Sequence, residues 1–420
     1  MRGSIARIII GLILALSSGA TLAQNGGNAP PGAQRQPELK PPSFPILFPN
    51  PTNNNGYEEW VKAADLIQNN DAIDTATEPG ATLTLKRRVL MDRDVVQALE
   101  LLHEGLKKPI VSPHHNLDEN TLLPELAPFR KLARLLSTEM YVQFADGRVD
   151  AAIDSLRDGL AFGYYIQMDT LISGLVGLAV DAIVLNQFAR HFDQISVHQC
   201  DQVSRLVEGF LKAENPAVHL LAMEKSYALQ MLEIRRSDPN ALLDLLPKLS
   251  GGTQDPQTTL DIQRIEDHLA TQPGGLSAMI DEAQAHVNAL YGHALLNLSL
   301  PLSERKPFVP DKSRNPGSLL AQLISVDPER IADKYSINQA QLRLLGLHAL
   351  IHRYRWEHNA LPGSLVDLHA DHLVIDPFTG DQIRYERSGD QYKLYSAGPL
   401  ARNDDGTVLS KERTPVQLIK

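Results

Sequence analysis

The sequence predicts a mainly α protein: a multi-helix domain followed by a small α+β C-terminal module containing a β-hairpin. Three observations predict it. Apolar residues recur at steps of three and four through most of residues 56–335, the spacing of one helix face. Pro, Gly and Asp-Gly steps interrupt these runs where helices should end. Beyond Leu342 the pattern becomes a helix, a Pro stop and two alternating segments, the signature of a hairpin.

The chain opens with Arg2 and Arg7, then an apolar run over residues 8–16, then Thr21-Leu22-Ala23. A basic start, a short apolar core and small residues at a cut site define a signal peptide. Residues 1–23 are therefore expected to be removed, with an uncleaved anchor as the alternative. The apolar run is too short to span a bilayer, and no membrane span is expected in the mature chain. No Cys follows the run, which excludes a lipid anchor there. The protein is expected in the periplasm or outside the cell. Residues 24–55, rich in Pro, Gly, Asn and Gln, read as an extended linker.

The helical domain is expected over residues 56–335. Its first helix places Trp60, Val61, Ala64 and Ile67 on one face; its second places Val95, Ala98, Leu102 and Leu106. A turn at Glu78-Pro79-Gly80 separates them, and Pro109 and Pro113 end the second. Residues 131–192 are the strongest periodic block. A helix ends at Ala145, and Gly147 suits the left-handed position that closes it. The next helix carries Val149, Ile153, Leu156 and Leu160. A third carries Leu171, Leu175, Leu178, Ala182, Leu185 and Phe192 on one stripe, with Ile172, Val176, Ala179 and Ile183 beside it. Apolar on two sides, it should be central. Ser196 caps a helix to about Ala213, and Pro216 opens another to about Arg236. Helices over residues 260–270 and 276–298, and short ones from Pro316 and Pro328, bring the expected number to around ten.

Ala151, Ala152, Gly159 and Ala161 allow close approach around the Asp146-Gly147 turn. This unit resembles a tetratricopeptide-like helical hairpin. It covers one unit without a repeat of roughly 34 residues elsewhere, and an ordinary antiparallel pair fits equally well.

Removing Arg2 and Arg7 from the 40 basic residues leaves 38 against 50 acidic ones, so the net charge moves from -10 to -12. That balance argues against a nucleic-acid partner. The single cysteine, Cys200, cannot form an internal disulfide and reads as a buried, inert thiol. His348 and His352 stand four apart on a helix, but Ala349 occupies the place where a zinc protease needs its Glu. His114-His115 and the pair His369 and His372 read as solvated loop residues. Glu139, Asp181 and Glu224 lie within apolar helices and could do acid-base work if they met in a cleft. No phosphate loop or nucleophile elbow appears.

The closing module is expected over residues 336–406, with 407–420 as a tail. A helix to about His358 stops at Leu361-Pro362. Asp376-Pro377-Phe378-Thr379-Gly380 forms a turn. Residues 382–387 and 391–396 alternate around Ser388-Gly389-Asp390, offering Ile383, Tyr385, Tyr392 and Leu394 for packing. Asn403, Asp404, Asp405 and Gly406 follow.

This order resembles the C-terminal half of the major pseudopilin of type II secretion systems. The matching residues are Tyr354, Pro362, Asp376, Pro377, Phe378, Gly380, Tyr385, Tyr392, Ser396 and Gly398. The match covers about 65 residues of the 420. The resemblance implies a small α+β fold and an Asp-rich calcium loop. Its ligands would be Asp404 and Asp405, with Asn403 and backbone carbonyls, an oxygen set suited to calcium; a solvated acidic turn is the alternative. Two departures stand out. The family's first loop Asp falls on Leu400, and the start of a prepilin, with its processing Gly and assembly helix, is missing. The helical body with this module also resembles a group of exported bacterial proteins, which assigns no activity. The sequence thus points to an exported, non-enzymatic binding or scaffolding protein with a protein partner at the envelope. The alternative is an envelope hydrolase using buried carboxylates or a His-bound metal. Oligomeric state stays open.

Overall fold

Asn55 caps the first described helix. Its side-chain oxygen accepts from Tyr57 N–H (3.0 Å) at the head of α1 (Gly56–Ile67). The same side chain bonds both backbone groups of Val111, at 2.6 and 3.0 Å. The computed structural model describes residues 54–78, 80–114, 123–236, 239–249, 256–272, 275–300, 305–306, 315–402 and 408–418. The expected signal peptide (1–23) and all of the expected linker except Asn54 and Asn55 lie outside these residues, as do Pro79, His115, Asn403, Asp404, Asp405 and Gly406. The described residues fall into two compact units. The larger draws on Leu47–Met223, Ala294–Pro307 and Glu329–Lys420, the smaller on Glu224–His293 and Phe308–Pro328.

In the larger unit α1 is followed by α2 (Asp71–Thr77), α3 (Leu83–Leu90) and α4 (Arg93–Leu106). Trp60 is fully buried and donates its indole N–H to Leu102 O at 3.2 Å. Gly105 lets α4 approach this ring, because a Cβ there would strike the indole. Three antiparallel helices follow: α5 (Leu126–Ala145), α6 (Val149–Gln167) and α7 (Leu171–Phe188). The α5–α6 turn is a Schellman closure. Arg148 N–H reaches Gln143 O (2.8 Å), Gly147 N–H reaches Phe144 O (3.0 Å), and Gly147 has φ +71. Helix α7 packs on both α5 and α6, so it is central as expected. Its apolar composition is that of a span, and most of it is core. The face it buries most deeply runs through Gly174, Gly177, Val180, Asp181, Val184 and Phe188 rather than the two leucine and isoleucine stripes. Glycines decide this: they allow α6 to sit against the backbone.

Helix α8 (Val197–Lys212) begins with a full capping box between Ser196 and Gln199. Next comes α9 (Pro216–Arg235), whose later residues enter the smaller unit with α10 (Pro239–Leu249), α11 (Pro256–Thr271), α12 (Leu276–Ser299) and α13 (Pro316–Ile324). There Arg236 joins Glu233 (2.9 Å) and Asp281 (2.7 Å). Leu242, Leu246, Ile265, Ile280 and Leu320 are buried. The last helix, α14 (Pro328–His358), runs unbroken where two were expected, and the boundary expected at residue 336 falls inside it. Fourteen α-helices occur among the described residues; α2, α3 and α10 are the unforeseen ones.

The C-terminal module holds a hairpin of β1 (Arg384–Ser388) and β2 (Gln391–Tyr395), with Tyr385 opposite Leu394 and Ser388 opposite Gln391. Gly389, first of the two turn residues, has φ +60, as a type II′ turn requires. A second antiparallel pair joins β3 (Leu400–Arg402) to β4 (Val408–Arg413), within the stretch read as a tail. Asp376 ties the module together. Its carboxylate accepts from Phe378 N–H (2.8 Å), Ser396 Oγ (3.0 Å) and Ala397 N–H (2.6 Å), and it is 1% exposed. The turn is thereby fastened to the end of β2. Gly398 has φ +74, and a Cβ there would collide with Thr414 O.

Candidate functional site

Described residues of the larger unit form a small cleft with an interior of about 40 Å³. Helix α6 contributes Leu160, Tyr164 and Gln167; α7 contributes Asp181; α14 contributes Tyr335 and Asn338. Asp181 is 3% exposed. Its Oδ2 accepts from Gln167 Nε2 and Asn338 Nδ2, both at 2.7 Å. Its Oδ1 lies against Gly163 and has no hydrogen-bond partner among the described residues. The Tyr335 hydroxyl, 4% exposed and facing Gly174, has none either. Burial pushes the Asp181 carboxyl up to about 7, against the pull of its two amide donors. Burial and the nearby Asp181 charge push the Tyr335 hydroxyl upward as well.

Two other constellations in this unit are built differently. His114 sits between two carboxylates: Nδ1 is 2.6 Å from Asp169 Oδ2 and Nε2 is 2.9 Å from Glu125 Oε1. Ser112 and Ser173 hydroxyls donate to Asp169 (2.6 and 2.9 Å), and the Tyr57 hydroxyl donates to Glu125 (2.9 Å). Burial lowers the imidazole's proton affinity, but the two carboxylates outweigh it and hold His114 up to about 9. In the second, His103 Nδ1 meets Asp158 Oδ2 at 2.7 Å and Nε2 faces Glu139 Oε2 at 3.8 Å. Asp158 and then Glu139 raise it to about 9. Both rings are imidazolium at neutral pH, with each nitrogen turned to a carboxylate. Neither has a lone pair for base work or for a metal.

His348 is 4% exposed and fully enclosed, its Nδ1 2.7 Å from the Tyr392 hydroxyl. Burial, then neighbouring His352, pushes it down to about 3. His352 is also lowered, chiefly by burial, and stacks on Phe192 at 5.5 Å. The pair packs against an aromatic ring instead of opening onto a shared metal position. His372 pairs with Glu208 at 3.1 Å, and His369 ends the 3-10 turn Leu365–Leu368 with φ 52. His114 is a correction to the solvated loop reading: its side chain is 11% exposed. Cys200 is fully buried, and burial pushes its thiol up to about 12. The three helix carboxylates do not share a partner. Glu139 faces His103, Asp181 holds two amides, and Glu224 lies in the smaller unit near Tyr291. Among the described residues no group of three or more His, Cys, Asp or Glu side chains is arranged to hold a metal.

The His114 cluster was invisible in sequence because it joins three separate stretches: Asp169 lies 55 residues from His114, and Tyr57 lies 68 from Glu125. The only local cue is Asp169, set just before the Thr170 cap of α7. No family profile, curated protein or solved structure matches the chain.

Proposed function

We propose that this chain is an exported, non-enzymatic binding or scaffolding protein of the cell envelope, periplasmic or secreted, which holds a protein partner. The observation that carries this reading is the closure of its convergent histidines. His114 and His103 each stand between two carboxylates and are held as cations. Catalytic acids and bases need a group that can exchange a proton with a substrate across open space. These clusters fasten helices to one another instead. Asp181 is the one buried carboxylate among the residues that line the cleft, and no histidine lines it beside Asp181.

The C-terminal module is proposed as a pseudopilin-type cap. Support comes from Asp376, Ser396 and Gly398, residues of the matching pattern that together fasten the turn to the strand end. The loop with Asp404 and Asp405, between β3 and β4, is proposed as a calcium site on the strength of that resemblance alone. Calorimetric titration of the mature chain should show calcium binding that the double substitution Asp404→Ala, Asp405→Ala abolishes; no heat sinks the site. The function itself is tested by pull-down of the mature protein from its own periplasm or medium. A specific stoichiometric partner is expected. Turnover of ester, glycoside or peptide substrates that disappears in Asp181→Asn would replace this reading with the hydrolase.

A further inference from the structure

Residues 41–51 read Pro-Pro-Ser-Phe-Pro-Ile-Leu-Phe-Pro-Asn-Pro and lie outside the described residues. Five prolines remove backbone donors and fix φ, a composition that disfavours helix and sheet ladders and favours polyproline II. Phe44, Ile46, Leu47 and Phe48 are large and apolar, and no charged residue occurs from Pro41 to Tyr57. The stretch before it is different: residues 24–40 hold a single large apolar side chain, Leu39. A solvated spacer gains nothing from four such side chains in eleven residues, because each one left in water forgoes its burial energy. A segment that covers an apolar surface needs them.

The cleft of the larger unit supplies such a surface. It is open and mostly apolar. Tyr164 of α6 and Phe210 of α8 line it, their ring centroids 6.3 Å apart, together with Leu211 and Leu342. Tyr165, next along α6, is 41% exposed, and its ring lies 5.6 Å from that of Tyr164. Exposed aromatic rings side by side are the surface on which proline-rich segments dock. Proline carbonyls also need donors. The Asn215 side chain lines the cleft, and its Oδ1 accepts from Ala217 N–H at 3.1 Å, so its amide nitrogen is the donor end. No Lys, Arg or His lines the cleft, and Glu214 is paired with His219 at 3.0 Å, which suits an uncharged occupant.

The segment is also tethered within reach. It ends three positions before Asn54, where the described residues begin, and Asn55 caps the helix that carries Tyr57 and Trp60. Tyr57, Trp60, Tyr165, Tyr164 and Phe210 follow one another with no step between ring centroids longer than 6.4 Å. Eleven residues of polyproline II cover about 34 Å, more than those four steps together. We propose that the face formed by Tyr165, Tyr164 and Phe210, with its cleft, is the docking site of residues 41–51 of this same chain, whose Phe and Pro rings pack against the three aromatic rings. The proposal names what covers this face and does not depend on the outside partner of the binding reading above.

The test uses the full mature chain with residues 41–51 replaced by a Gly-Ser stretch of equal length, a change that removes no described residue. A fluorescein-labelled peptide of residues 41–51 is titrated into it and polarisation is read. Saturable binding is expected. The wild-type chain carries the same segment as a tethered competitor at about millimolar effective concentration, so it should bind the free peptide about fivefold more weakly or worse. In the Gly-Ser chain, Tyr165→Ala removes an exposed ring and should weaken the peptide about threefold or more. Ala213 is exposed and lines the cleft; Ala213→Glu sets a carboxylate against an apolar ligand and should weaken binding about fivefold. Neither variant truncates the core, and both should keep the urea midpoint of their parent. A peptide carrying Phe44→Ser and Phe48→Ser should not bind. Absence of binding to the Gly-Ser chain overturns the proposal, and so does unchanged affinity in both surface variants. Equal binding to the Gly-Ser and wild-type chains overturns it as well, and gives the face to a segment supplied by another molecule. None of these outcomes bears on the pull-down that tests the binding reading, so the two can fail separately.

Discussion

The His114 cluster and the Asp181 cleft both bury a titratable side chain in the same unit, and they resolve that burial in opposite ways. His114 is matched on both nitrogens by carboxylates, which are themselves satisfied by Ser112, Ser173 and Tyr57. Asp181 has two amide donors and one oxygen with no partner. Desolvation acts on both. At His114 opposite charge overcomes it and the ionised form wins; at Asp181 only neutral dipoles oppose it and the proton is held. Pairing, not depth, decides the charge state. A closed pair supports a fold.

Breaking the closed side should have the largest effect. Asp169 is 1% exposed and binds His114, Ser112 and Ser173. Asp169→Ala leaves an imidazolium and two hydroxyls short of their acceptor, and should cost about 3–5 kcal/mol in urea unfolding at pH 7. Asp158→Ala in the more open His103 cluster should cost less, about 1–2 kcal/mol. Equal losses would mean that the two clusters do not differ in closure.

The same closure predicts a pH response. Both histidines have folded values near 9, above the reference 6.5. The fold binds these protons more tightly than the unfolded chain. Their stabilisation is complete below about pH 6.5 and is lost as pH rises through about 9. For His114 the loss should be on the order of 2 kcal/mol; His103, whose side chain is 31% exposed, adds less because water screens it. Urea midpoints measured from pH 6.5 to pH 9.5 should fall, and His114→Gln should flatten the fall. A midpoint flat across that range would show the pairing to be energetically idle.

The sequence made the fold legible where local rules dominate. Gly147 closed α5, Ser196 capped α8, and the alternating segments became β1 and β2. It misled where a neighbour overrides the local pattern. On α7 the leucines drew attention, but the buried face follows Gly174, Gly177 and Asp181, because these permit close helix crossing. Asp181 was legible as an unusual carboxylate in an apolar helix. Its cleft was not, since Tyr335 and Asn338 arrive from a helix more than 150 residues away. Glu125 gave no signal and Asp169 only its place before the Thr170 cap; only the folded chain brings them to either side of His114.

The smallest effect is the most discriminating, because it should be a gain. Asp181→Asn can accept both amide hydrogen bonds through its carbonyl oxygen, as Oδ2 does now. It cannot ionise. The folded value of Asp181, about 7, lies above the reference 3.8. The proton's contribution to stability is therefore complete below about pH 3.8 and lost as pH rises through about 7. At pH 8 the wild-type fold carries a desolvated carboxylate and the variant does not. Part of the gain is offset, because the amides bond a charged oxygen more strongly than a neutral one. A stabilisation of about 1–2 kcal/mol is expected at pH 8, shrinking towards zero at pH 5, read from urea midpoints at both values. A loss at pH 8 would mean that the buried charge is already paired, and the contrast with His114 would collapse.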